Sequence, residues 1–289
     1  MDIKTQVGRV LEDHRFAYAE YRGCFDIVAR REQTLFLKIL GNIDSFQEEQ
    51  ANNLKILSGS LDASAFLVGS HTRREAMEDN IIYERFSVPS MTVRTFEHIV
   101  QSAFPKLYRF RGGLFATISA ERLRQKRTEA GLTQQELAAR VGITRKSVYE
   151  HEHKTMKASY DIVQRLEKVL GDITDAVTLE FEAGATANPK GAFERLVIAD
   201  LRRLGFETQS VHQSPFNIIA SERFMVFADA EERREDADAS NMAGFSEITE
   251  RPVLLVTKEE ADFDLPSIQE KDIRSMQSAG DIRRLLKKR

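Results

Sequence analysis

The 289-residue chain has no tryptophan, one cysteine (Cys24), six prolines and no apolar run near the roughly 20 residues that span a bilayer. A lone cysteine excludes an intramolecular disulfide and any cysteine-based zinc site, and it fits a reducing compartment. The N-terminal stretch MDIKTQVGRVLEDH lacks the apolar core of a signal peptide. A cytoplasmic protein with no membrane partner is therefore expected. His14, His71, His98, His151, His153 and His212 never fall at metal-ligand spacing with carboxylates on one helix face, and no G-x-G-x-x-G, P-loop or Ser/His/Asp arrangement occurs. No metal or cofactor is expected. What is present is ordinary for a globular protein: 42% hydrophobic and 30% charged residues, in a length suited to two or three domains.

Charge is unevenly placed. Thr117 to Gly171 carries 11 Lys+Arg against 7 Asp+Glu, whereas the whole chain carries 42 against 45. A basic module inside an acidic protein suits a nucleic-acid reader whose other parts avoid phosphate.

That module contains TQQELAARVGITRKSVYEHE, Thr133 to Glu152. Thr133 and Glu136 form a capping box, in which the hydroxyl accepts the Glu136 backbone N–H and the glutamate reaches back. Leu137, Ala138 and Val141 make a buried side, and Ala138 is small enough to let a following helix cross closely. Gly142 supplies a left-handed turn, Ile143 plugs the corner, Thr144 caps the next helix and Val148 anchors it. This is a helix-turn-helix. The second helix is the one expected to enter a DNA major groove, where Arg145 and Lys146 can meet guanine O6 and N7 and Glu150 can accept from a cytosine amino group. The expected DNA-contacting set is Gln134, Thr144, Arg145, Lys146, Ser147, Tyr149 and Glu150, with Gln134 at a helix start suited to a phosphate. Upstream, Leu123, Arg127 and Ala130 share one side of a helix ended by Gly131. Downstream, Ile162, Leu166, Val169 and Leu170 line a helix that begins at Ser159.

From about Glu121 to Gly171 the sequence resembles the Cro/CI (Xre) repressor-type DNA-binding domain, through KRTEAGLTQQELAARVGITRKSVYEHE. The resemblance implies base reading by Arg145, Lys146 and Glu150, phosphate contact by Gln134, and an ion pair of Arg127 with Glu152. His151 departs from it, standing in a slot that is usually apolar; a core histidine bonded to a backbone group is expected.

The flanks read as one pattern used twice. The first runs helix (Gln6 to His14), strands (Phe16 to Tyr21, Phe25 to Arg30, Thr34 to Leu40), helix (Phe46 to Leu57) and strand (Ala65 to Gly69). The second runs GAFERLVIADLRRLG, FETQSVH, FNIIAS, ERFMVFAD and, later, RPVLLVTK in the same order. This order resembles the restriction-endonuclease or Holliday-junction-resolvase fold. Such nucleases place an acid on the first helix, an aspartate at a strand start and Glu-x-Lys on the next strand, and the carboxylates hold magnesium. Glu12, Asp26 and Lys38 fall near these places, but Phe36 stands where the second carboxylate belongs. Alignment of the second copy gives Asn217, Val226 and Ala228 at the positions of Asp26, Phe36 and Lys38. Both copies are therefore expected to be non-catalytic.

Gly112 and Gly113 read as a joint into the basic module, and Phe181 to Phe193 as a second joint. The acidic run Asp229 to Ser240 reads as a solvated connection. DIRRLLKKR reads as a short amphipathic helix docked on the second copy.

The expected architecture is α/β plus all-α: a lambda-repressor-like helical domain (117-171) between two restriction-endonuclease-like αβ domains (1-110 and 185-289). Chains of this order resemble a group of archaeal transcriptional regulators. The resemblance implies a sequence-specific regulator that binds double-stranded DNA; DNA geometry and the spare apolar surface of the sheet domains imply a homodimer, with residues about 145-152 in the major groove of a palindromic operator. Two alternatives stand beside it: a structure-specific, magnesium-dependent nuclease targeted by the helix-turn-helix, and a coactivator- or antitoxin-like adaptor that binds a protein.

Overall fold

The computed structural model describes residues 2–110, 113–179, 184–233, 238–259 and 263–287. Helix α1 (Ile3–Asp13) begins where the Asp2 carboxylate accepts the Thr5 backbone N–H, and it buries Val7, Val10 and Leu11 on one side. Antiparallel strands β1 (Ala17–Glu20), β2 (Ile27–Arg30) and β3 (Thr34–Ile39) follow. Then come α2 (Glu48–Leu61) and β4 (Ser64–Val68). Next in the chain are β5 (Ile81–Arg85), β6 (Val88–Met91), α3 (Val93–Val100), β7 (Leu107–Phe110) and β8 (Gly113–Ile118). The basic module supplies α4 (Ala120–Glu129), α5 (Gln134–Val141), α6 (Arg145–His153), β9 (Met156–Ser159), α7 (Tyr160–Leu170) and β10 (Thr174–Asp175). The last part contains α8 (Ala192–Arg203), β11 (Glu207–Ser210), β12 (Ile218–Ser221), β13 (Met225–Glu231), α9 (Ala239–Thr249), β14 (Val253–Thr257), β15 (Ser267–Gln269), α10 (Glu270–Ser275) and α11 (Ala279–Leu286). Among the described residues no helix is long and apolar enough to cross a membrane.

Two compact units result, and they cut across the three segments expected from the sequence. One joins Met1–Ile39 and Ser45–Phe66 to Phe181–Arg289; the other joins Leu40–Asp44 to Leu67–Glu180. In the first unit the two copies of the αβ pattern share a core. Strands β11, β12 and β13 are antiparallel, and parallel β14 and β15 extend them. Helix α9 packs on β14 of its own copy and also on β1 and β2 of the other. Its Phe245 ring lies 4.7 Å from Phe216, 4.9 Å from Phe227 and 6.4 Å from Phe36, centroid to centroid. The Cys24 N–H donates to the Gln213 carbonyl at 2.6 Å. Gly23 is needed beside it, because a Cβ there would lie 2.0 Å from that same oxygen. The basic C-terminal helix α11 docks on the second copy through Ile282, which is fully buried, with Leu285 and Leu286 packed alongside. Lys288 and Arg289 at the end of that run lie outside the described residues.

In the second unit the end of β4 pairs in parallel with β6, β6 with antiparallel β5, and β5 with parallel β7. Strand β7 then pairs with antiparallel β8, which also pairs with β9 and β10. The helices of the basic module therefore rest on a sheet that the sequence reading did not foresee. Ala116, Ile118, Ala158 and Ile173 from its strands and flanks share one buried core with Leu123, Leu137, Val141, Val148, Val163 and Leu166 from the helices. The Gly112–Gly113 joint is corrected accordingly. Gly113 pairs with Phe110 and opens β8, so it belongs to the same sheet as β7, while Arg111 and Gly112 lie outside the described residues. In the expected second joint, residues 181–183 are likewise outside. Ala185 is fastened to Asn52, whose side chain accepts the Ala185 N–H at 2.7 Å and donates to its carbonyl at 2.9 Å.

Candidate nucleic-acid interface

The helix-turn-helix forms as its residues dictate. Thr133 Oγ1 accepts the Glu136 N–H at 3.2 Å, and the Glu136 carboxylate accepts the Thr133 N–H at 2.7 Å. Gly142, at φ +71°, closes α5 in the left-handed region. Arg165 of α7 donates to the Val141 carbonyl at 2.8 Å, satisfying one of the helix-end acceptors. Thr144 Oγ1 accepts the Ser147 N–H at 3.0 Å and starts α6. Val148, His151 and Glu152 face inward on α6; Arg145, Lys146, Tyr149, Glu150 and His153 face outward.

The ion pair implied by the family resemblance is present. Arg127 Nε meets Glu152 Oε1 at 2.5 Å and its Nη2 meets Oε2 at 3.1 Å, while Nη1 donates to the Leu132 carbonyl at 2.7 Å. Burial alone would raise the Glu152 carboxyl, but hydrogen bonds from Arg127 and Gln134 outweigh it and hold the group below its ordinary value. This network ties α4, α5 and α6 together behind the exposed face.

The structure brings Arg145, Lys146, Tyr149 and Glu150 onto one exposed stripe. Lys146 stands 3.8 Å from Glu150 at i,i+4 spacing, and Tyr149 stacks on His153 with ring centroids 3.8 Å apart. The hydroxyls of Thr144 and Ser147 lie 2.8 Å apart, so each already has a partner at the helix start. Gln134 is turned inward: its amide donates to Glu152 at 2.7 Å, leaving one N–H and its carbonyl for an outside partner. His151 is buried and shifted downward by loss of solvent, as a core histidine would be. The expected backbone hydrogen bond is corrected, however, because its Nδ1 has no partner among the described residues.

The nuclease-like positions behave differently. Lys38 Nζ contacts Asp26 Oδ1 at 3.1 Å and the Gly23 carbonyl at 2.7 Å, and the Ile39 N–H donates to Asp26 Oδ2 at 2.7 Å. Glu12 does not join them; it is exposed on α1 and accepts the Tyr18 hydroxyl at 2.9 Å. Phe36 is fully buried against the Phe25 ring. A hydrophobic ring cannot ligate a hard cation, and among the described residues no three His, Cys, Asp or Glu side chains converge on a metal site. The residues present do not fit a magnesium ion.

In the second copy the strand register moves the sequence alignment by one. The Asp26 N–H donates to the Leu37 carbonyl and the Asn217 N–H to the Ala228 carbonyl, so Phe36 corresponds to Phe227 and Lys38 to Asp229, in place of Val226 and Ala228. The solvated reading of Asp229 to Ser240 is corrected with it. Asp229 and Ala230 are buried in β13, and residues 234–237 of that run lie outside the described residues.

Sequence reasoning missed the strand directly after α6. β9 carries Lys157 and follows Lys154, both exposed. Only the short alternation in MKAS hinted at it, too brief to outweigh the helical pattern on either side.

Comparison with known proteins places these features. The family model described as PD-(D/E)XK superfamily domain matches residues 1–105. The one described as helix-turn-helix matches residues 123–175. A relative from Pyrococcus furiosus is 36% identical over 230 residues, which is 76% of this chain and 73% of the relative. One from Thermococcus kodakarensis is 30% identical over 289 residues, 95% of this chain and 91% of the relative. A third, from Methanocaldococcus jannaschii, is 31% identical over 221 residues, 73% and 69% respectively. All three carry the name "Putative HTH-type transcriptional regulatory protein". No solved structure matches the chain. With a shared helix-turn-helix and identity running through most of its length, the chain belongs to this family of archaeal HTH-type transcriptional regulatory proteins.

Proposed function

We propose that the protein regulates transcription by binding double-stranded DNA sequence-specifically, as a homodimer that sets two copies of α6 in successive major grooves of a palindromic operator, about 34 Å apart. One observation carries this reading: Arg145, Lys146, Tyr149 and Glu150 share an outward stripe at the start of a helix whose other side is locked by Val148 and the Arg127–Glu152 pair. Arg145 has no carboxylate partner among the described residues, so it meets a base edge without first breaking an ion pair. Thr144 and Ser147 shape the helix start, and Gln134 offers its remaining amide N–H to a phosphate.

In the same reading, the αβ patterns within 1-110 and 185-289 are degenerate restriction-endonuclease-like segments on either side of the DNA-binding segment 117-171, and neither cleaves DNA. The buried Phe36 ring and the hydrogen bonds already made by Asp26 support this. A single free cysteine suits work in the reducing cytoplasm.

Selection of bound duplexes from a random pool tests the proposal. A palindrome is expected. Arg145→Ala should relax preference at one base pair, costing about 1–3 kcal/mol on the selected site; Gln134→Ala should weaken all duplexes alike. Equal losses on selected and random DNA for Arg145→Ala would overturn the docking of α6.

A further inference from the structure

We propose that the cleft between the start of α8 and the end of β13, in the second αβ copy, binds a small organic cation, an alkylammonium compound held by the carboxylates of Glu194 and Asp229. This goes beyond the DNA-binding reading and does not depend on it.

The first argument is the contrast between the copies. The Phe16 N–H donates to the Leu11 carbonyl and the Phe206 N–H to the Leu201 carbonyl, so the first helix and strand of one copy align with those of the other without a gap. Lys4 then corresponds to Glu194 and Glu20 to Ser210, beside the matches of Asp26 with Asn217 and Lys38 with Asp229. In the first copy these four positions neutralise one another: Lys4 meets Glu20 at 2.7 Å and Lys38 meets Asp26 at 3.1 Å. In the second copy the same frame holds two carboxylates and no cation. The Ser210 hydroxyl donates to Glu194 at 2.7 Å, a neutral hydrogen bond where the first copy has a counter-ion.

The second is burial without compensation. Glu194 is 5% exposed and Asp229 4%. Glu194 accepts the Ser210 hydroxyl and, at 2.8 Å, the Lys190 N–H, while Asp229 accepts the Asp238 N–H. All three donors are neutral, and neither carboxylate has a cationic partner among the described residues. The basic groups around the cleft are directed elsewhere: Lys190 to Glu49 at 3.0 Å, Lys258 to Glu232 at 2.9 Å, and His212 Nε2 to the Asn188 carbonyl at 2.9 Å. Burial first, then the charges of Glu231, Asp238 and Glu194, push the Asp229 carboxyl well above its ordinary value. A buried negative charge is costly until a cation compensates it, and a guest that brings the cation removes that cost.

The third is space of the right kind. Glu194 and Asp229 line a cleft of about 480 Å³, within the roughly 300–1,000 Å³ of small-molecule sites. Phe193, Val211 and Phe216, all buried, give it an apolar wall suited to methylene groups. An alkylammonium compound joins such methylenes to a cation that needs only hydrogen-bond acceptors. A divalent metal needs about six oxygen ligands, and among the described residues no three metal-ligating side chains converge.

The full chain, without DNA, is titrated at pH 7 with 1,4-diaminobutane, with its uncharged counterpart 1,4-butanediol, and with magnesium chloride, all at equal ionic strength, and followed by calorimetry and thermal melting. One diamine should bind per chain and raise the melting temperature, and neither butanediol nor magnesium should do so. Asp229→Asn and Glu194→Gln should each weaken the diamine about 10- to 100-fold, as loss of a charge-assisted hydrogen bond does. Glu207→Gln, which removes an exposed carboxylate outside the cleft, should leave the affinity unchanged. Melting curves of Asp229→Asn without ligand, no lower than those of the unaltered chain, separate lost binding from lost folding. Absence of diamine binding overturns the proposal. Equal weakening by Glu207→Gln would reduce it to general surface charge, and saturable binding of magnesium in place of the diamine would make the cleft a metal site; either result overturns it too.

Discussion

The two copies of the αβ pattern solve one structural problem with opposite chemistry. At the head of the second strand of each copy, a short polar side chain accepts the backbone N–H at the end of the third: Asp26 takes Ile39 at 2.7 Å, and Asn217 takes Ala230 at 3.0 Å. The clamp is the same, but its charge is not. In the first copy Lys38 balances the aspartate at 3.1 Å. In the second, the clamp is a neutral amide and the place of Lys38 is taken by Asp229, which is 4% exposed and lies near Glu194, Glu231 and Asp238. The difference teaches that this frame needs a hydrogen-bond acceptor at the clamp and not the ionic set of a nuclease. Either a buried ion pair or an uncharged amide can occupy the clamp. It also explains why the copies are found together: Phe245 of one completes the aromatic cluster that includes Phe36 of the other.

The hardest way to break the comparison is to remove that shared ring. Phe245→Ala should cost about 3–5 kcal/mol in urea unfolding, because the ring is 2% exposed and meets aromatic neighbours from both copies. A cost near 1 kcal/mol would show that the copies do not fold as one body. Next in size is the ion pair. Lys38→Ala leaves Asp26 charged and mostly buried, and about 3 kcal/mol should be lost. Adding Asp26→Asn, which copies the second repeat, should return most of it; no recovery would mean that Lys38 acts through packing alone. Incubated with magnesium and linear or branched duplexes, the unaltered protein and Lys38→Ala should both leave the DNA intact, and cleavage by the unaltered protein alone would restore the nuclease reading.

Legibility followed how local the governing interactions are. The capping box at Thr133, the turn at Gly142 and the outward stripe on α6 depend on residues within one or two helical turns, and each stood where the sequence put it. The strand order of both copies was readable for the same reason. The sheet under the helices was not, because β7, β8 and β9 are stabilised by partners far away in the chain: Ile81 opposite Leu107, and Thr117 opposite Lys157. The register of β13 failed by one residue, since every residue from Val226 to Ala230 is buried and a uniformly buried strand offers no alternation to fix its phase. That single step hid Asp229 behind Ala228. His151 was legible as a core residue, but its unpartnered Nδ1 was not, because sequence spacing carries no account of hydrogen-bond partners.

The smallest expected effect sharpens the comparison most, because it reads the charge at the Lys38-equivalent position directly. Burial, then the nearby Glu231 and Asp238 carboxylates, raise the Asp229 carboxyl well above its ordinary 3.8, although the Asp238 N–H donates to it. Below that ordinary value the group is protonated whether the chain is folded or not, and it has no effect on stability. As pH rises, the unfolded chain releases the proton first while the folded chain retains it, so the folded state is progressively disfavoured until Asp229 itself ionises. Asp229→Asn keeps the acceptor for the Asp238 N–H and removes the titration. The variant should melt at about the same temperature as the unaltered chain near pH 4 and higher at pH 7, the gap opening steadily between. A gap of equal size at both pH values would place the effect in packing instead. A lower melting temperature at pH 7 would mean that an ionised Asp229 has a cationic partner in the folded chain, as Asp26 has in Lys38.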